Sequence, residues 1–324
     1  MRLALKILFY LIVVVVIVTV AGVTYLYVRY PDVPPAENIT VQATPEKIAR
    51  GRYLSEHVTG CTACHAERDF TRYGAPVKPG TAGAGGELFG EVGSGFEVYS
   101  TNITPEAIGQ WSDGQLIRAF TSGVTADGDP LFPIMPYPRF GKLSREDVES
   151  IVAYIRTLKP VRSNVPDRKL PFPLPLIVRT MPQPAQLRPM PPKSDKVAYG
   201  EYLTNAAVCE DCHTPVDERG TPLAGREFAG GAPLPLPGGG FVNPSNITPD
   251  ADTGIGTWSE QQFLDTFKAW RGVEPRALNA QEQRQNTFMP WLFYAGMTDE
   301  DLSAIYAYLR TRKPVVRRVE KFTN

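Results

Sequence analysis

All four cysteines of this 324-residue chain fall into two Cys-x-x-Cys pairs, each followed at once by histidine: Cys61-Thr62-Ala63-Cys64-His65 and Cys209-Glu210-Asp211-Cys212-His213. Three chemistries use such pairs. A redox dithiol of the thioredoxin type sits at a strand-to-helix turn and has no need of the histidine. A zinc centre would have to gather both pairs as four thiolates, although they lie 148 residues apart in segments that each look complete. Covalent attachment of a c-type haem uses the motif as it stands. Two thiols add across the haem vinyl groups, and the next residue is held under the ring so that its imidazole reaches the iron. Two independent matches that consume every cysteine favour two covalently bound haem c groups, on Cys61, Cys64, Cys209 and Cys212, with His65 and His213 as axial ligands.

The second axial position has to be filled from elsewhere. Of three histidines only His57 lies outside the motifs. It has no counterpart in the second half and reads as a partly exposed helix residue. Among six methionines, Met1 is the start, Met181 and Met190 lie in a proline-rich stretch, and Met297 has no partner in the first half. Met135 and Met289 alone stand at matched positions, each followed by proline. A methionine ordinarily fills core space. The matched placement and the iron's need for a soft ligand favour His/Met ligation by Met135 and Met289, which raises the reduction potential. Met297 is the alternative ligand in the second half.

The elements that position these residues repeat with a period near 150, which indicates a duplicated domain rather than a solenoid. Gly51-Arg52-Tyr53-Leu54 matches Gly200-Glu201-Tyr202-Leu203, Asn102-Ile103-Thr104-Pro105 matches Asn246-Ile247-Thr248-Pro249, and Trp111-Ser112 matches Trp258-Ser259. The methionine-to-tyrosine spacing is 19 residues in both copies (135 to 154, 289 to 308), whereas histidine to methionine is 70 in one and 76 in the other, so insertions sit in loops. Each copy reads as mostly helical. Pro45 to Val58 and Ser194 to Ala206 look like opening helices. The closing helices start at Ser144-Arg145-Glu146-Asp147 and Thr298-Asp299-Glu300-Asp301, both resembling capping boxes. Val148, Ile151, Val152, Ile155 and Leu158 then give one apolar face at helical spacing, as do Leu302, Ile305, Tyr306 and Leu309. Seven glycines between Gly80 and Gly95 read as a loop folding over a flat cofactor; no Gly-Lys-Ser/Thr follows to make a phosphate loop.

Outside the repeats, Ile7 to Val28 is a 22-residue apolar stretch, against roughly 20 needed for a spanning helix. It is longer than a secretory signal core and lacks a polar cleavage region, so it reads as an uncleaved anchor. Arg2 and Lys6 before it place the N-terminus in the cytoplasm of a bacterial membrane and the remainder in the periplasm. No later window reaches 18 apolar residues, so the chain beyond position 30 reads as soluble. The expected organisation is mainly α: an anchor (1–30), a linker (31–44), a first cytochrome c-like helical domain (45–162), a proline-rich linker (163–193), a second such domain (194–318) and a tail (319–324). Ten prolines between 160 and 192 make the connection extended and stiff, and its apolar part, Leu170 to Val178, is expected to lie against one or both domains. Arg317 to Lys321 read as a solvated tail in preference to a segment that docks on a partner or on lipid headgroups. Lys plus Arg equals Asp plus Glu at 34 each, which gives no electrostatic basis for nucleic-acid binding.

The haem motif, the Met-Pro loop and a closing helix ending in Tyr-x-Arg resemble class I c-type cytochromes. Asn-Ile-Thr-Pro, Trp-Ser and Ala-Tyr-Leu-Arg are similar to strings in the multihaem cytochrome c subunits of membrane-bound alcohol, gluconate and related dehydrogenases. The resemblance covers roughly residues 45 to 318. It implies that Asn102, Ile103, Trp111, Asn246, Ile247 and Trp258 line the haem pockets, a place that plain core residues would also occupy. This chain departs from those subunits in carrying two motifs rather than three and an N-terminal rather than a C-terminal attachment.

The function expected is that of a membrane-anchored dihaem cytochrome c. It would carry single electrons between a respiratory donor, a dehydrogenase or quinol-oxidising complex, and a terminal oxidase or soluble cytochrome. Alternatives are a cytochrome subunit of a terminal oxidase, and a dihaem peroxidase or haem sensor, either of which needs an open iron position. Haem propionates would make the loaded protein acidic, so a basic partner surface is expected.

Overall fold

The structure, a computed structural model, describes residues 1–90 and 93–324 and is mainly helical. Helix α1 (Arg2–Arg29) has 28 residues and buries none of them. At 1.5 Å per residue it is about 42 Å long, enough to cross a hydrocarbon core of about 30 Å. The body follows. Its first half holds α2 (Pro45–Tyr53) running into one π-helical turn (Leu54–Val58), α3 (Cys61–Cys64), the antiparallel ribbon β1 (Leu88–Gly90) and β2 (Glu97–Tyr99), α4 (Pro105–Ile108), α5 (Asp113–Ser122), α6 (Tyr137–Phe140) and α7 (Arg145–Ile155). After α8 (Leu174–Val178), the second half holds α9 (Lys196–Ala206), α10 (Cys209–His213), β3 (Leu234–Pro235), β4 (Phe241–Val242), α11 (Glu260–Lys268), α12 (Ala280–Gln283), α13 (Trp291–Tyr294), α14 (Asp299–Arg310) and β5 (Phe322–Thr323).

Helix starts follow side-chain caps that satisfy otherwise orphaned N–H groups. Ser144 accepts from the Asp147 N–H and Thr298 from the Asp301 N–H. In each Trp-Ser string the serine is the cap: Ser112 with Gln115 and Ser259 with Gln262 form full capping boxes. The opening helix of the second half begins after Asp195, whose carboxylate caps Ala198, so it starts at Lys196 rather than Ser194.

In each half the opening helix crosses the closing one at a glycine. A Cβ on Gly51 would lie 1.8 Å from the Ser150 carbonyl oxygen, and one on Gly200 would lie 1.9 Å from that of Ala304. The backbones touch there, and only glycine permits it. Gly51→Ala and Gly200→Ala are each expected to cost at least about 3 kcal/mol, the upper end of overpacking; the guanidinium unfolding midpoint of the holoprotein reads this out.

The halves meet across a seam whose contacts come in matched pairs. Tyr53 donates to Asp301 (2.5 Å) while Tyr202 donates to Asp147 (2.6 Å). His57 Nδ1 hydrogen-bonds the Phe293 carbonyl (3.1 Å) while Asn205 donates to the Arg139 carbonyl (2.9 Å). His57 is thus a half-buried contact between halves. Asp147 is buried and also takes a two-pronged bond from Arg50 (2.8 and 2.9 Å), so its charge is compensated. Asn286, 1 % exposed, closes a second join: it accepts from the Gly74 N–H and donates to the Phe70 and Arg72 carbonyls.

Two peripheral segments differ from expectation. The proline-rich connection is not extended throughout, since α8 forms within it and buries Val178 completely. The C-terminal residues are not a solvated tail. Phe322 and Thr323 pair with β4, and Arg317 donates to the Ala229 and Gly230 carbonyls. The signal was weak because a two-residue edge strand needs only free backbone groups, not a sequence pattern.

Candidate functional site

Each Cys-x-x-Cys pair occupies a single helical turn, α3 or α10, which puts residues three apart on one side. The residue before each first cysteine is left-handed: Gly60 at φ +65° and Val208 at φ +49°. For a β-branched valine that backbone is strained by about 1–3 kcal/mol, and the strain lies directly against Cys209. Glycines then fold back over each motif. Gly83 and Gly85 donate to the Thr62 and His65 carbonyls (3.1 and 3.0 Å), and Gly230 donates to that of His213 (2.8 Å). A Cβ on Gly231 would lie 1.8 Å from the Cys212 carbonyl oxygen.

His65 and His213 are both buried, and both are oriented in the same way. Nδ1 of His65 lies 2.7 Å from the Thr101 carbonyl oxygen, and Nδ1 of His213 lies 2.7 Å from that of Ser245. A carbonyl only accepts, so Nδ1 carries the proton and the Nε2 lone pair is left free. Burial pushes both imidazoles below their ordinary pKa, which keeps them neutral. Sequence reasoning missed Thr101 and Ser245. The signal available was their place immediately before the matched Asn-Ile-Thr-Pro strings.

Those strings are clamps. The Asn102 amide donates to the Val161 carbonyl (2.7 Å), and its carbonyl oxygen accepts from the Thr104 N–H and hydroxyl (2.8 and 2.7 Å). Asn246 repeats this with Val315 (2.8 Å) and Thr248 (3.0 and 2.7 Å). The turn holding the Thr101 or Ser245 carbonyl that meets each imidazole is thereby tied to the segment after the closing helix. Asn102→Ala or Asn246→Ala leaves buried partners unpaired and is expected to cost about 1–3 kcal/mol, seen as a lower thermal midpoint with haem content per folded chain unchanged.

Ile103, Ile247, Trp111, Met135 and Met289 are partly buried against the core, whereas Trp258 is 37 % exposed. Met135 and Met289 lie in matched turns, each accepting at its carbonyl from the N–H two residues on (Tyr137 and Trp291, 2.8 Å in both). Met297 is 1 % exposed within the apolar core.

The thiols do not have the character of a redox dithiol. Burial pushes Cys64 up to about 11 and Cys209 up to about 12, whereas a reactive cysteine needs a lowered pKa. Among the described residues no three His, Cys, Asp or Glu side chains converge as a metal-ligating group. The buried Tyr294 phenol donates to the Ala207 carbonyl (2.6 Å), and its pKa is raised by burial first and then by Cys209, Cys212 and Cys64. Arg139, just after the first Met-Pro turn, pairs with Glu210 (3.0 Å) and Asp211 (2.6 Å) inside the second motif.

No family model matches the chain. It is 32 % identical over 292 residues to the fructose dehydrogenase cytochrome subunit of Gluconobacter japonicus, covering 86 % of this chain and 55 % of that protein. It is 30 % identical over 297 residues to the cytochrome c subunit of the quinone alcohol dehydrogenase of Gluconacetobacter polyoxogenes, covering 85 % and 58 %. A diheme c-type cytochrome of Cereibacter sphaeroides is 28 % identical over 267 residues, covering 79 % and 83 %. The chain thus spans a little over half the length of the first two relatives. With a gluconate 2-dehydrogenase subunit of the same kind also matching, the chain is a homologue of the cytochrome c subunits of quinone alcohol, fructose and gluconate dehydrogenases.

Proposed function

We propose that the chain is a membrane-anchored dihaem cytochrome c that accepts electrons from a dehydrogenase and passes them, one at a time, towards a terminal oxidase or soluble cytochrome. Residues 45–162 and 194–318 act as two tandem cytochrome domains on the periplasmic side of the membrane, with α1 as the anchor. The observation that carries this reading is the matched pair of histidine-to-carbonyl hydrogen bonds, which leaves the Nε2 lone pair free on the histidine that ends each Cys-x-x-Cys-His motif.

The residues present fit two c-type haems. Cys61 and Cys64 would hold one and Cys209 and Cys212 the other by thioether bonds, and His65 with Met135, and His213 with Met289, would bind the irons. When bound, each haem supplies a one-electron couple. Thr101 and Ser245 fix the imidazole planes, the glycine folds close over the motifs, and buried side chains keep water away, which together tune potential. The seam, with Arg139 of the first half paired with Glu210 and Asp211 of the second motif, would hold the two sites in one geometry for transfer between them.

Purification of the full chain in mild detergent tests the reading. A dehydrogenase catalytic subunit is expected to co-purify, its substrate to reduce both haems, and the association to weaken as salt is raised, as it should if a basic partner surface meets the haem propionates. Co-purification of an oxidase core, or turnover of peroxide by the isolated chain, would overturn it.

A further inference from the structure

The apolar loop between the halves is pinned at both ends. At one end Lys169 and Glu97 exchange backbone hydrogen bonds (2.9 and 2.7 Å). At the other, Val178 is fully buried and Arg179 reaches α1: its guanidinium lies 4.3 Å from the Tyr27 ring centroid and donates to the Tyr30 carbonyl at 2.7 Å. Between them Phe172 is 84 % exposed, more than any other large apolar residue after α1 among the described residues, and Ile177 is 42 % exposed. Pro171, Pro173 and Pro175 have no N–H, so this backbone has few donors to desolvate on entering an apolar phase.

The depth of the loop follows from its contact. Tyrosines near the end of a spanning helix sit at the membrane–water interface. Tyr25, Tyr27 and Tyr30 are such residues at the end of α1, and Arg179 docks on this belt. The exposed apolar side chains a few residues earlier, Phe172 and Ile177, are tethered through Arg179 to the end of α1 that carries this belt.

Resting on the reading of α1 as a membrane span, we propose that residues 170–177 form a second membrane contact, inserting Phe172 and Ile177 into the boundary between lipid headgroups and acyl chains. A single helix lets the body swivel; a second contact from the loop joining its halves fixes its tilt over the bilayer. The partner is the lipid surface itself.

The test uses the full-length holoprotein in phosphatidylethanolamine/phosphatidylglycerol nanodiscs, in which the haem thiols are consumed as thioethers. Single cysteines carrying an environment-sensitive fluorophore are placed by Pro171→Cys beside the loop tip, Val15→Cys within α1 and Val273→Cys on a remote exposed site. The readout is the ratio of emission with and without nitroxide lipids. The Pro171→Cys probe is expected to shift to the blue and lose intensity with shallow nitroxides, Val15→Cys with deep ones, and Val273→Cys with neither. Adding Phe172→Ser and Ile177→Ser should abolish the effect at position 171. If Val15→Cys is quenched while Pro171→Cys behaves like Val273→Cys, or if quenching survives both serines, the loop contact is overturned and the anchor stands. If Val15→Cys is not quenched, the anchor reading falls and the loop contact with it.

Discussion

A chain carrying Cys209→Ser and Cys212→Ser is expected to retain one covalent haem of the two proposed, with the haem per chain measured as the pyridine haemochrome falling by half. Cys61→Ser with Cys64→Ser does the same from the other side, and the four changes together leave none. The effect is large because a thioether has no non-covalent substitute: histidine alone leaves the group free to dissociate. The two halves respond separately in stoichiometry but not in stability. Arg139 of the first half is paired with Glu210 and Asp211 of the second motif, so loss of either haem is expected to lower the unfolding midpoint of the whole body. Undiminished haem in either double variant would mean that the motifs are not the attachment points.

The second large effect concerns the methionines. Met135→His and Met289→His are each expected to lower one of two potentiometric waves by on the order of 0.1–0.3 V, part of the about 0.8 V that axial ligands span. Met135→Ala and Met289→Ala should each open one iron, giving a high-spin haem that takes up carbon monoxide. Met297→Ala separates the alternatives. Its side chain is enclosed by core residues, so its truncation should cost about 2–5 kcal/mol and leave both waves in place. Waves that move with Met297 and not with Met289 would transfer the ligand role to Met297.

The sequence carried the parts of the fold that depend on residue type. The helix starts at Ser144 and Thr298 were readable because a hydroxyl three residues before an acidic group caps a helix by local chemistry alone. The Gly-x-Tyr-Leu strings were visible as matched landmarks, but the reason for Gly51 and Gly200 appears only when the opposite helix brings a carbonyl against them. Tyr53 and Tyr202 likewise gave no sign that each reaches an aspartate of the other half, since contacts over such separations are set by packing. At the site, the thiols and imidazoles were legible as residue types, whereas Thr101 and Ser245 act through backbone carbonyls that any residue supplies. Asn102 and Asn246 were picked out as pocket residues by resemblance, and their amides are committed to the Val161 and Val315 carbonyls.

The central claim is that two low-spin irons, each closed by histidine and methionine, make this chain an electron carrier. Near-infrared magnetic circular dichroism of the oxidised, detergent-solubilised full chain addresses it most directly. Two low-spin ferric haems with the methionine-to-iron charge-transfer band, and no carbon monoxide uptake on reduction, are the expected result. A high-spin haem in the unmodified protein, or carbon monoxide bound by either reduced iron, would contradict it.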